Sequence, residues 1–486
     1  MPNSFAYLML AIWPLVALLL FRKLPLERAV IWCLLAGYLL LPPTAAFDLP
    51  LVPAMDKHSI PAVTALILCF TVAKTPVRLL STSRAANLLI FLYIACAVPT
   101  VLTNGDPHTA TLIENAGPIQ IEMSFRTGLT FRDLGSFVLS RIIDLIPFFL
   151  GLQLLASSRS IETLLRAFIW GALGYTLLAW IEIFAGPNLN IWVYGFLQHE
   201  LEQLLRGGGY RPIVFLQHAL WVALFMATTC VAAISFARNS DPKSGRFFFA
   251  LTASYLLVFL VAAKNLASQL YAVSFGVMVL LLPLRWQFRF SLLLVLIVVV
   301  YPMMRYLGLV PLDTILAWAQ DVNPARAESL EYRIINEEIL MERAHDKPWF
   351  GWGGWARNLI LEVQTGIVLT IPDGRWIIAF GEFGWLGYLS EMGLLALPIL
   401  LLWLRSGSRN PLPVPVTILV VIVAITMLDM LLNATLTTLT WLSAGALLGF
   451  AEQLKMQVNL PSKPSEARLP PILGHTRKEP GKRTII

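Results

Sequence analysis

Apolar runs long enough to cross a bilayer recur along this chain, at about 5–21, 29–46, 59–73, 86–103, 135–155, 161–185, 213–237, 247–263, 267–284, 290–306, 376–404, 414–431 and 435–452. Backbone groups in lipid find no water, so each run must satisfy its own hydrogen bonds, and an α-helix does so within one segment. The expected fold is all-α: a polytopic transmembrane helical bundle of about 12–13 spans. Composition agrees. Of 486 residues, 57% are hydrophobic and only 13% charged, too few charges to cover several soluble domains. The same figures exclude disorder, a coiled coil and a secreted disulfide scaffold. The formal charge of +7 comes without a Lys/Arg stripe interleaved with aromatics, which argues against a nucleic-acid partner.

Cys33, Cys69, Cys96 and Cys230 each lie inside an apolar run and share no metal-ligand spacing, so they read as buried packing. The opening Met-Pro-Asn-Ser lacks a basic n-region, and the first run is expected to be a true span. With the N-terminus outside, the inner segments hold 22 of the 36 basic residues but only 6 of the 29 acidic ones. Arg22, Lys23, Lys74, Arg78, Arg159, Arg238, Arg285 and Arg405 alternate loop by loop on that side, as the positive-inside rule requires. The C-terminus then lies in the cytoplasm. Three long segments, 104–134, 186–212 and 307–375, fall outside, and long connections in a compact protein are usually functional. Residues 1–460 are expected to form one transmembrane domain that includes the 307–375 loop. The proline-bearing stretch 461–486 reads as a disordered cytoplasmic tail.

Ionisable residues at membrane depth are costly and need a reason. Arg141 and Asp144, three apart, can pair on one helix face; Glu182, Lys264, Glu382 and Asp429 gather at the outer leaflet, and Glu391 lies deeper. Ion pairing or snorkelling is one reading, and a polar cavity open to the outer side is the other. A transport path would instead concentrate such groups near the midplane.

The 307–375 loop contains an amphipathic stretch, 327–343, with Arg333 and Glu337 one turn apart. His345-Asp-Lys-Pro-Trp-Phe-Gly-Trp-Gly-Gly-Trp-Ala-Arg357 follows, then Glu382-Phe-Gly384-Trp-Leu-Gly387 entering a span. Earlier stand Arg206-Gly-Gly-Gly-Tyr-Arg211-Pro with Gln217-His218, and Lys264-Asn-Leu-Ala-Ser268. In their order and hydropathy context, over roughly residues 200–400, these motifs resemble the O-antigen ligase and Wzy-type O-antigen polymerase superfamily.

The resemblance implies a bacterial inner-membrane glycosyltransferase, independent of metal and nucleotide and without a cofactor. It would move or polymerise an undecaprenyl-diphosphate-linked glycan on the periplasmic side, onto a glycan or lipid-linked acceptor, during O-antigen or exopolysaccharide assembly. Its partners would be that donor and acceptor, membrane lipid and polysaccharide assembly proteins. Guanidinium forks suit a diphosphate, so Arg211 and Arg333 are the first choices, with Arg206, Lys264, Arg357 and Arg375 behind them. His218 and Glu382 join them as substrate-binding candidates. Family ligases carry a histidine nine residues before the Glu-x-Gly element; here Asp373 stands there, either as the acceptor-activating base or as a plain turn residue. Arg375 is the expected neighbour that keeps Asp373 ionised. For Arg333 the plainer reading is a salt bridge to Glu337. Trp349, Trp352, Trp355 and Trp376 either stack on sugars or anchor the interface. Two rival functions stay open: a transporter or flippase for a lipid-linked glycan or anionic solute, and a degenerate assembly subunit.

Overall fold

A computed structural model of the protein describes residues 1–48, 52–109, 125–239, 245–322, 324–361, 368–406 and 411–459. The tail expected over 461–486 and the middle of the 104–134 segment lie outside them. The first half of the chain forms α1 (Ser4–Lys23), α2 (Leu26–Leu40), α3 (Ser59–Thr71), α4 (Arg84–Ala95), α5 (Ala97–Leu102), α6 (Phe131–Leu154) and α7 (Ser158–Ala185). Short α8 (Leu189–Tyr194) and α9 (Leu201–Leu204) lead to α10 (Ala219–Asn239), α11 (Gly245–Ala262), α12 (Leu266–Leu281) and α13 (Leu284–Tyr306). Next come α14 (Leu312–Val322), α15 (Pro324–His345), α16 (Arg375–Arg405), α17 (Val414–Asp429) and α18 (Thr438–Asn459). Two-residue strands pair antiparallel: β1 (His108–Thr109) with β2 (Phe125–Arg126), and β3 (Leu205–Arg206) with β4 (Gly209–Tyr210).

The protein is an all-α membrane bundle. Among the described residues, eight helices are long and apolar enough to cross a bilayer, and α3, α12 and α17 are apolar but shorter. Helices α10 and α17 are buried along nearly their whole length, and their Ala, Val, Ile and Thr residues form the centre of the core. Helices α6 and α18 cross so closely that a Cβ on Gly445 would fall 2.0 Å from the Phe148 carbonyl oxygen, and one on Gly449 2.2 Å from that of Leu152. Two glycines four apart clear one strip of helix surface, which is how backbones approach where hydrophobicity gives no drive between helices.

Helix α16 is broken at Gly384, where φ is 62° and ψ −161°. Only glycine tolerates that conformation cheaply. An unbroken helix would bond the Trp385 and Leu386 N–H groups to the carbonyls of Gly381 and Glu382. Here a loop slides into the gap. Trp385 N–H donates to the Pro348 carbonyl (2.8 Å) and Leu386 N–H to that of Trp349 (3.3 Å). In return Trp352 N–H donates to the Gly381 carbonyl (2.9 Å) and Gly353 N–H to that of Glu382 (2.8 Å). The Pro-Trp-Phe-Gly-Trp-Gly stretch and the Glu-x-Gly-x-x-Gly stretch are thus two halves of one structural unit. Backbone bonds are satisfied across the break, as membrane depth demands.

Candidate active site

A non-helical stretch before α10 carries the first site residues, and buried polar groups hold its backbone. The Glu182 carboxylate accepts from the N–H groups of Leu189 (3.3 Å), Ile213 (2.8 Å) and Val214 (2.7 Å). Lys57 Nζ donates to the Phe215 carbonyl (2.7 Å), and Tyr175 Oη accepts from Phe215 N–H (3.0 Å). Gln198 donates to the carbonyls of Val214 (2.9 Å) and Leu216 (3.1 Å). Glu182 and Lys57 are fully or almost fully buried; Glu182 accepts three backbone hydrogen bonds and Lys57 donates one, so neither polar group is buried without a partner. The carboxylate at the end of α7, Glu182, therefore has a structural reason. It fixes the path from Arg211 to His218.

From the other side, α15 and the 368–374 segment bring up Arg333 and Asp373. The two pair, Arg333 Nε to Asp373 Oδ2, at 3.3 Å. Arg333 Nη1 donates to the Leu432 carbonyl (3.2 Å) and to Asn433 Oδ1 (3.3 Å). Asn433 is itself tied to Asp429 (2.9 Å), which also accepts from Thr435 (2.8 Å). The guanidinium is thereby oriented by three residues from two segments. The expected bridge to Glu337 does not form: that carboxylate turns inward and accepts from Trp376 Nε1 at 3.2 Å. Burial raises Glu337 to about 7. Burial also raises Asp373, opposed by the Arg333 charge. The arginine that favours its ionised form is Arg333, not Arg375.

These two groups of residues face one cavity of about 610 Å³. Its walls include Arg206, Arg211, His218, Arg333 and Asp373, all singled out from the sequence, together with His199, Gln203, Tyr332 and Asn433, which were not. His199 and His218 pack edge to face at 4.4 Å, and His218 Nδ1 accepts from Leu220 N–H (2.9 Å). That bond occupies the Nδ1 lone pair, so a neutral His218 carries its proton on Nε2. Among the described residues of the wall, three arginines stand against one carboxylate, a charge balance that suits an anion.

The remaining candidates lie elsewhere. Lys264 donates to the Gly207 carbonyl (3.0 Å) and steadies the turn between β3 and β4. Arg357 is buried and donates to the carbonyls of Thr127 (2.5 Å), Trp352 (3.2 Å) and Asp106 (3.3 Å), so it ties loops together. Glu382 belongs to the α16 break and is not part of the cavity wall. Arg375 grips Glu391 with Nε (2.7 Å) and Nη2 (2.6 Å). Arg141 bonds the same carboxylate at 3.2 Å, not its helix neighbour Asp144, and its guanidinium lies over the Tyr93 and Phe383 rings at 4.2 and 4.1 Å. The four tryptophans divide. Trp352 and Trp376 are buried and hydrogen-bonded, while Trp349 and Trp355 are exposed.

Arg375 lines a second, deeper chamber of about 280 Å³, which shares Gln217, Trp221 and Ala434 with the arginine cavity. Sequence reading missed it, because its walls come from six distant stretches of chain, with no local pattern to join them.

No known family model matches the chain, and no curated protein does.

Proposed function

We propose that this protein is a membrane glycosyltransferase of the O-antigen ligase or polymerase type, acting on an undecaprenyl-diphosphate-linked glycan at the periplasmic face of the bacterial inner membrane. The observation that carries the reading is the cavity where Arg206, Arg211 and Arg333 meet Asp373. The periplasmic assignment is supported by the alternation of Lys and Arg along the chain.

In this reading the guanidinium groups bind the diphosphate, with Arg333 held in a fixed orientation by Asp373, Leu432 and Asn433. A preorganised donor loses little freedom when charge develops on the leaving group. Asp373 takes the proton of the acceptor hydroxyl as that oxygen bonds to the anomeric carbon of the donor. The carbon–oxygen bond to the diphosphate breaks, and undecaprenyl diphosphate departs with the bonding pair, its charge met by the arginines. Both partners of the step, clamp and base, line one space.

The test is the surface glycan of a deletion strain. Single unpolymerised repeats identify a polymerase, and long lipid-linked chains without transfer identify a ligase. An unchanged glycan overturns the enzyme reading and favours the assembly subunit.

A further inference from the structure

The deeper chamber differs in chemistry from the cavity above it. Asp144 is exposed even though its neighbours Ile143 and Leu145 are buried and α6 packs against α18, α3 and α4. The space that Asp144 lines is the chamber. Asp56 lines the same space, and its bonds to the N–H groups of His58 (2.8 Å) and Ser59 (2.9 Å) both run to Oδ1. His58 pairs with Thr438 Oγ1 at 3.1 Å. Two indoles complete the wall. Trp221 is braced by Tyr38 (6.3 Å between ring centres) and Trp441 by Tyr93 (5.5 Å). Among the described residues the guanidinium in the wall is Arg375, which shares Glu391 with Arg141, so these two positive charges stand against the three carboxylates of Glu391, Asp144 and Asp56.

Carboxylates, hydroxyls, an imidazole and braced indole rings are what a neutral polyhydroxylated ring needs: acceptors and donors at its edge and apolar surface for its C–H face. The same carboxylates repel a diphosphate. We infer that the chamber is a glycan subsite, taking the terminal neutral sugar of a substrate whose diphosphate-bearing portion stays in the arginine cavity. This rests on the proposed transferase reading. The division by charge sets direction, because only a sugar end is accepted below Gln217 and Trp221, the residues shared by the two spaces.

Thiol labelling in native membranes tests it, in the full-length protein whose own four cysteines are buried. Ser140→Cys reports the chamber, with Thr437→Cys as a second position, and Ser329→Cys reports the cavity. One probe is inorganic diphosphate. The other is the neutral oligosaccharide released by mild acid from lipid-linked intermediates of a deletion strain. At ~10 times its dissociation constant the oligosaccharide slows labelling of both chamber cysteines by a cationic methanethiosulfonate ~10-fold. Diphosphate slows Ser329→Cys labelling by an anionic reagent and leaves the chamber cysteines within ~2-fold of their free rate. Chamber cysteines that the oligosaccharide leaves unprotected, or that diphosphate protects equally, overturn the subsite. A Ser329→Cys rate indifferent to diphosphate overturns the transferase reading instead, so the two failures are distinct.

Discussion

Asp373 joins two properties that pull against each other: burial raises its pKa, and the Arg333 charge opposes that rise. A base in this position works only when ionised, so activity should climb as pH passes upward through a value above the ordinary aspartate range. Asp373→Asn keeps the shape but removes the basic oxygen, and activity should fall ~10²-fold or more, with the acid limb of the pH profile gone. A wild-type rate in the Asn variant makes Asp373 a turn residue. Glu337 gives a stability counterpart. Its folded-state pKa is raised from 4.5 to about 7, so the folded protein prefers the protonated form. The stability from that preference is whole below about 4.5 and is lost as pH rises through about 7, a change of ~3 kcal/mol. Glu337→Gln keeps an acceptor for Trp376 and cannot titrate. The difference in detergent melting temperature between pH 5 and pH 8 should therefore shrink in this variant. An undiminished difference places the pH dependence elsewhere.

At the level of elements, the break in α16 and the loop that fills it hold each other. A Cβ on Gly384 would lie 2.4 Å from the Trp349 carbonyl carbon, and one on Gly351 2.4 Å from that of Glu382. Gly384→Ala adds to that clash roughly 1–3 kcal/mol of strain, because φ 62° with ψ −161° is a conformation open to glycine alone, so the folded protein yield in membranes should drop. Gly174→Ala, where nothing lies within 4 Å, should be silent. Equal yields for the two contradict the interlock. Hydropathy made the apolar helices legible, since every expected run overlaps one helix, or α4 and α5 together, although 41–46 and 213–218, taken as parts of spans, are non-helical. Helix α14 was not legible as a span, because its eleven residues at the start of the loop are amphipathic and too short to cross a bilayer. In the site, the motifs around Arg206, Arg211, Arg333 and Asp373 were legible because each is local. Their pairings were not. Arg141 reaches past Asp144 to Glu391, 250 residues away, and Arg333 past Glu337 to Asp373. Spacing reports which side chains share a helix face and is silent about those that meet across helices.

For the whole molecule, charge alternation and site geometry make a joint demand. The Arg206–Arg211–Arg333–Asp373 cavity must open to the periplasm, so reporter fusions at Lys74, Ser240 and Ser406 should read cytoplasm, and those at Asn104 and Glu328 periplasm. Reversal at two of these sites would turn the cavity toward the cytoplasm and remove a periplasmic transferase. The most direct measurement is glycan assembly by Arg333→Ala and Arg211→Ala proteins expressed at normal levels in a deletion strain. Loss of assembly by ~10²-fold or more in each is expected, with poor rescue by Lys, which keeps the charge but not the bidentate fork. Retained assembly in both alanine variants contradicts the diphosphate clamp and the function built on it.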